Sequence, residues 1–181
     1  MRKLIMWNLM TLDGCFEGAN HNIDWHEDVW GDELEQLSIE QCRAAGALLF
    51  GRVTYELMAN YWPSAKGEIA DLMNGLPKVV ASRTMEKPAW HNTQLIRENV
   101  PEEISRLKAE SGKNIFIFGS AELSAGLVPH GLIDEFRICL VPTVLGGGTP
   151  LFKSSPKRLK LRLIDARPLQ TGAVILRYQP T

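Results

Sequence analysis

The sequence is poor in the features that define several protein classes. Its three cysteines, Cys15, Cys42 and Cys139, are odd in number and far apart. Without a C-x-x-C pair they make neither a zinc site nor a disulfide framework. No apolar run is long enough for a membrane helix, and the first residues do not resemble a secretory signal. Charge of one sign is missing too. Twenty Lys and Arg face 21 Asp and Glu, for a net charge of −1, so no basic field exists to hold nucleic acid. No internal repeat, linker or low-complexity tract is present. His21, His26, His91 and His130 have no metal-ligand spacing, and a surface position is expected for each. These absences predict a cytoplasmic protein with no metal, membrane or nucleic-acid partner. At 181 residues and 45% hydrophobic, residues 1–181 are expected to form one domain.

Short apolar runs, each closed by a turn, are what the sequence does have. Ile115-Phe116-Ile117-Phe118 is followed by Gly119-Ser120 and a stretch suited to a helix, roughly Ala121 to Val128. Such a run reads as a strand buried on both faces. Ser120 is a good N-cap, and a strand that ends in Gly at a helix start offers free N–H groups and a positive dipole end to a phosphate. Ala47-Leu48-Leu49-Phe50 before Gly51-Arg52 repeats the pattern, and Lys78 to Ala81 before Ser82-Arg83 is a third such strand. A plain strand-to-helix turn is the competing reading of each site taken alone.

Lys3 to Leu9 also suits a strand. A long aperiodic loop, Cys15 to Trp30, separates it from an amphipathic helix over Gly31 to Ala45, which Gly46 is expected to end. Trp30, Leu34, Leu37, Gln41 and Ala44 stand at helical spacing on its apolar face. Glu68 to Asn74 and Pro101 to Ser111 read as helices, and Thr93 to Arg97 as a short strand. From Ile133 the pattern changes. Glu135 to Val141, Leu159 to Ala166 and Ala173 to Tyr178 are strands with no helix between them, so the last ones should run antiparallel. The expected fold is α/β, a three-layer αβα arrangement around a mixed, mostly parallel central sheet with antiparallel C-terminal strands.

In an open parallel sheet the carboxyl ends of the strands share one edge, and ligands bind there. Two helix starts with Arg52 and Arg83 on that edge suit an anionic dinucleotide, and two cations favour NADP over NAD because a 2′-phosphate needs them. No G-x-G-x-x-G follows the first strand, so the ordinary dinucleotide fingerprint is missing, as are a Walker A loop and a G-x-S-x-G elbow. The Gly146-Gly147-Gly148 run reads equally as a flexible turn and as a phosphate cradle.

Four segments carry a family resemblance: Thr11-Leu12-Asp13-Gly14, Gly51-Arg52-Val53-Thr54-Tyr55-Glu56, Val79-Val80-Ala81-Ser82-Arg83-Thr84, and Gly131-Leu132-Ile133-Asp134-Glu135 through Leu145-Gly146-Gly147-Gly148-Thr149-Pro150-Leu151-Phe152. In this order they resemble the dihydrofolate-reductase-like family, in the branch of the reductase domain of bifunctional riboflavin enzymes (RibD C-terminal type). The resemblance implies an NADPH-dependent reductase that works as a homodimer. By position it implies Gly51, Arg52 and Thr54 at the phosphates, and Ser82 and Arg83 at the adenosine 2′-phosphate. Gly119, Ser120, Ala121 and Glu122 would line the pyrophosphate and nicotinamide ribose. The loop from Asp13 to Trp25 would be the mobile cover of the nicotinamide. The family usually has Gly-Gly where this chain has Gly119-Ser120, and the deaminase motifs of the bifunctional enzymes are missing.

The resulting expectation is hydride transfer from NADPH to a small heterocyclic or carbonyl-like substrate, with Asp13, Trp25 and Val144 on the substrate side. Asp32 is the first candidate for proton donor, on the premise that a half-buried carboxyl has a raised pKa. Two alternatives are a riboflavin-pathway reductase acting on a phosphoribosylamino pyrimidine, which needs a further cationic subsite, and a nucleotide-binding protein without turnover. Phe136, Ile138 and Leu140 alternate with Arg137, Cys139 and Val141, which places the expected dimer contact on this strand.

Overall fold

In chain order the strands are β1 (Leu4–Thr11), β2 (Cys15–Glu17), β3 (Ala45–Gly51), β4 (Lys78–Ala81), β5 (Thr93–Ile96), β6 (Asn114–Phe118), β7 (Glu135–Val141), β8 (Thr149–Pro150), β9 (Leu161–Pro168) and β10 (Val174–Pro180). The helices are α1 (Asp32–Ala44), α2 (Arg52–Tyr61), α3 (Glu68–Gly75), α4 (Val100–Ala109) and α5 (Ala121–Leu127). This computed structural model describes residues 1–155 and 158–181. Eight strands form one sheet in the order β5-β4-β3-β6-β1-β7-β10-β9. The first six of that row run parallel, and β10 returns antiparallel between β7 and β9. The mixed, mostly parallel α/β sheet expected from the sequence is thus the observed one.

Strand alternation divides the core in two. Ile5, Trp7, Leu48, Phe50, Phe116, Cys139 and Val141 face α1, α2 and α3. Leu4, Met6, Leu49, Ile115, Ile117, Phe136 and Ile138 face α4 and α5. Strands covered on both faces must be largely apolar, which is why residues 4–7, 47–50 and 115–118 of β1, β3 and β6 read as apolar runs. All three cysteines are buried and free, and burial pushes the Cys42 and Cys139 thiols up to about 12. Among the described residues no helix is long and apolar enough to cross a membrane.

Three expectations change. Gly46 does not end α1; the helix passes directly into β3, and Gly46 sits in the strand, where a Cβ would lie 2.7 Å from the Lys113 carbonyl oxygen. Trp30 is exposed rather than part of the buried face of α1. Phe136 and Ile138 are buried beneath Leu127, Ile133 and Leu151, so this stretch of β7 is no free face for a second copy. The uncovered apolar residues lie further along the sheet. The register sets Leu163 of β9 beside Tyr178 of β10, with Leu161 and Leu176 on the same face, and Leu163 is 52% exposed.

The Gly131-to-Glu135 segment is structural. Gly131 has a left-handed φ of +64° and turns the chain after α5. Asp134 accepts the Leu4 N–H at 2.7 Å and pairs with the buried Lys108, tying α4 to the start of β1. Glu135 is 5% exposed, and burial alone would raise its carboxyl, but the hydrogen bonds and charges of Arg137 and Arg177 on either side together outweigh this and hold it below the usual range.

Candidate functional site

The chain leaves β3 through α2 toward β4, on one side, and leaves β6 through α5 toward β7, on the other. β3 and β6 are neighbours, so their outgoing connections diverge. Such a topological switch point leaves a crevice outside the strand carboxyl ends, the usual ligand position in open α/β sheets. Gly51 and Arg52 stand on one side of it, Gly119, Ser120 and Ala121 on the other.

A hydrogen-bonded brace crosses this crevice. The Gly51 N–H donates to Ser120 Oγ at 2.8 Å, and the Ser120 N–H donates to Thr54 Oγ1 at 3.1 Å. Ser120 is the N-cap residue of α5 by position, but its side chain makes no bond within that helix. Its hydroxyl is spent on the start of α2, so the N-cap role expected from the sequence is replaced by a link between two helices. Neither α2 nor α5 has a side-chain cap, and the first N–H groups of both face the crevice without one.

Gly119 and Ser120 both hold left-handed backbone, with φ of +72° and +65°. A Cβ on Gly119 would lie 2.8 Å from the Thr54 methyl group and 3.4 Å from the Phe16 ring. The close approach that demands glycine here is therefore to Thr54 and Phe16 of the chain itself. Thr54 is buried, with its oxygen already accepting from Ser120.

The remaining expected cofactor residues lie along the same edge. Ser82 follows β4, next to β3, and its hydroxyl accepts from the N–H groups of Met85 and Thr84 at 3.0 and 3.3 Å, so it shapes the turn that presents Arg83. Arg83 is exposed and has no ion-pair or hydrogen-bond partner among the described residues. Arg52 reaches Glu56 one turn on, at 2.9 Å, with both side chains half exposed. Ala121 is buried, and Glu122 is exposed and ion-paired with Lys153.

On the β1 and β7 side the structure alters the picture of a mobile cover. Thr11 Oγ1 donates to Asp13 at 2.6 Å, and Asp13 accepts the Gly146 N–H at 2.8 Å and the Leu145 N–H at 3.3 Å. These bonds, the Thr11 hydroxyl first, hold the exposed Asp13 carboxyl below its ordinary pKa. β2 pairs with β8, and Leu151 N–H donates to the Gly14 carbonyl at 3.0 Å. A Cβ on Gly148 would lie 2.3 Å from the Glu17 carbonyl oxygen, so Gly148 packs against β2, whereas Gly146 and Gly147 have open space around them. The first half of the expected cover is thus stapled to the 143–151 segment. Asp13 is one of the staples, and Val144 projects from that segment, 65% exposed.

Trp25 is buried at 4% exposure, and its indole N–H makes no hydrogen bond. His26 packs edge-on against it, with ring centroids 4.2 Å apart. Burial pushes the His26 imidazole down to about 4, and its Nε2 is unpartnered. His26 departs from the surface position expected for the four histidines; His21, His91 and His130 are exposed. Asp32 is exposed at the start of α1, so the half-buried setting behind its assignment as an acid is missing. Its neighbour Glu33 is committed to Arg167 and the Gln170 N–H. No group of His, Cys, Asp or Glu among the described residues could hold a metal.

With this geometry in hand, comparison with known proteins is decisive on family. The RibD C-terminal domain family matches residues 2–175. The chain belongs to that family. It is 32% identical to the Bacillus subtilis protein YyaP over 186 residues, covering 98% of this chain and 94% of YyaP. A putative riboflavin biosynthesis protein from Shewanella shares the fold with a TM-score of 0.81 and 22% identity, covering 99% of each chain. The dihydrofolate reductase of Enterococcus faecalis, solved with NADP(H), superposes with a TM-score of 0.68 and 12% identity over 99% of this chain and 96% of that one. The RibD C-terminal domain thus has the dihydrofolate-reductase-like fold here, as the sequence segments implied.

Proposed function

We propose that this RibD C-terminal domain is an NADPH-dependent reductase of a small heterocyclic or carbonyl-like substrate. The observation that carries the reading is the braced crevice at the β3/β6 switch point, with two uncapped helix starts and the unpartnered Arg83 on its rim. Uncapped N–H groups and a free guanidinium match phosphate oxygens in charge and geometry, so the residues present fit a nicotinamide dinucleotide phosphate.

With the Gly51 N–H given to Ser120, the N–H groups of Arg52 and Ala121 would hold the pyrophosphate and Gly51 would let it approach the backbone. Ser82 would orient the turn that brings Arg83, with Arg52, to the 2′-phosphate. Thr54 and Ser120 act behind them by fixing the two helices. Glu122 would lie at the nicotinamide ribose. NADPH, when bound, supplies the hydride; the chain orients the acceptor and excludes water from it. Trp25 would stand behind the acceptor as a buried apolar wall, and Val144 and Asp13 would form the rim of that side. Asp32 receives no acid role in this reading, because it is exposed.

The riboflavin-pathway alternative needs cations for a ribose phosphate. Arg167 and Lys153, beside the starts of α1 and α5, are both paired with carboxylates, which favours an acceptor without a phosphate. The test is loss of NADPH absorbance in the presence of carbonyl and heteroaromatic acceptors, with and without a ribose phosphate. Turnover of an unphosphorylated acceptor is the expected result. Tight NADPH binding with no oxidation across the panel would instead support a nucleotide-binding protein without turnover.

A further inference from the structure

At the opposite, amino edge of the sheet a cavity of about 550 Å³ opens beneath α4, among the first residues of β3, β4 and β5. Its volume is in the range of small-molecule sites. Ala47, Pro77, Val79 and Leu107 supply apolar wall, and Arg2 and Glu110 supply charge. Arg2 is 8% exposed. Its guanidinium lies against two glycines: Nη2 is 3.1 Å from where a Cβ on Gly46 would sit, and Nε is 3.8 Å from that of Gly112. Nε donates to the Lys113 carbonyl at 2.7 Å. The other guanidinium N–H groups have no hydrogen bond among the described residues. Glu110 Oε2 stands 3.8 Å from Nη1, beyond hydrogen-bond reach, while its other oxygen accepts from Arg106 at 3.1 Å.

The Arg2 nitrogens that make no hydrogen bond are not sealed off but reach the cavity, so an anion entering it would meet free donors on an otherwise buried guanidinium. Glu110 is half exposed and already engaged by Arg106, so it leaves N–H groups on the edge of the guanidinium open to a forked partner. The nearby Lys78 ammonium is not available, since it caps α3 through the carbonyls of Met73, Asn74 and Leu76. We propose that this cavity is a second ligand site, separate from the carboxyl-edge crevice, that binds a small molecule through a carboxylate or phosphate group on Arg2. Glu110 opposes the ligand through its charge beside the same guanidinium, and Arg106 already holds it when the ligand enters. This inference does not depend on the reductase reading.

The experiment follows backbone amide shifts by NMR while inorganic phosphate, and separately succinate, is titrated into the full chain at constant ionic strength. Saturable shifts at Gly46, Ala47, Gln94 and Gly112 are expected, unchanged by excess NADPH. The tighter probe tells a phosphate site from a carboxylate site. Glu110→Gln removes a unit charge 3.8 Å from the guanidinium, and should tighten binding about three- to tenfold. Arg2→Met should abolish it; if that variant does not fold, Glu110→Gln alone decides. Non-saturating shifts spread over the surface, or equal affinity in Glu110→Gln, would overturn the proposal.

Discussion

Ser120 Oγ accepts the Gly51 N–H at 2.8 Å, so one hydroxyl fixes the starts of two helices that lie on opposite faces of the sheet. The contact spans 69 residues of sequence. Ser120→Ala removes it and leaves the amide unsatisfied. Stability should fall by about 1 kcal/mol. NADPH and NADH affinities should fall together, about three- to tenfold, because the brace sets the pyrophosphate cradle common to both. Calorimetric titration of both cofactors is the check; loss confined to one of them counts against a role in the cradle.

Gly119 is demanded by the fold before any ligand arrives. Gly119→Ala imposes a left-handed Cβ, about 1–2 kcal/mol, in addition to the 2.8 Å approach to the Thr54 methyl. Urea unfolding without cofactor should show a loss of about 2–3 kcal/mol. Adding Thr54→Ser, which deletes the methyl and keeps the hydroxyl, should restore part of it. An unaltered midpoint in Gly119→Ala would contradict the packing argument.

His26 makes stability depend on pH with a defined sign. The unfolded chain takes up its proton near 6.5, whereas the partly buried ring of the folded chain does so only at about 4. Stability is therefore intact above the unfolded value and falls as pH drops toward 4. From pH 7.5 to 5 the loss from this group is about 2 kcal/mol. His26→Phe should unfold with a flatter pH profile over that interval. Identical profiles for the two proteins would place His26 in solvent.

Assembly is expected through the β9–β10 face rather than β7. Leu163 is 52% exposed at the end of the sheet, on the same face as the partly buried Leu161, Leu176 and Tyr178, and a second copy related by a two-fold axis would cover it. Light scattering should give the mass of two chains for the parent and of one for Leu163→Asp. A folded Leu163→Asp dimer would locate the contact elsewhere. Ile138→Asp is no test of it, since Ile138 is buried within the chain and a charge there should unfold the protein.

The sheet was legible because its central strands are covered on both sides. β3 and β6 need apolar runs, as does β4 after its buried Lys78, and each ends where a small or polar residue must turn the chain. The residues gathered at the β3/β6 crevice were legible for the same reason, since every one of them follows such a run. Contacts over long sequence distance were hidden. Asp13 reaches Gly146 across 133 residues, and nothing local in a Thr-Leu-Asp-Gly turn marks it as a staple. Ser120 reads as a cap in any window of its own neighbours, and only the approach of Gly51 redirects its hydroxyl. His26 and Asp32 were misplaced because the aperiodic stretch before α1 gives no face to assign. Arg2, a lone charge at the start of a strand, carries no signal of the cavity that it lines.

Direct comparison of NADPH and NADH affinity in the parent and in Arg83→Ala bears most closely on the account. Arg83 is exposed, unpartnered and next to the crevice, so it can discriminate the 2′-phosphate without reshaping the fold. The parent should bind NADPH at least about tenfold more tightly than NADH. Arg83→Ala should weaken NADPH by about 1.5–3 kcal/mol, the worth of a charge-assisted bond, and leave NADH within about twofold. Equal affinities in the parent, or equal losses for both cofactors in the variant, would contradict an NADPH site on this edge.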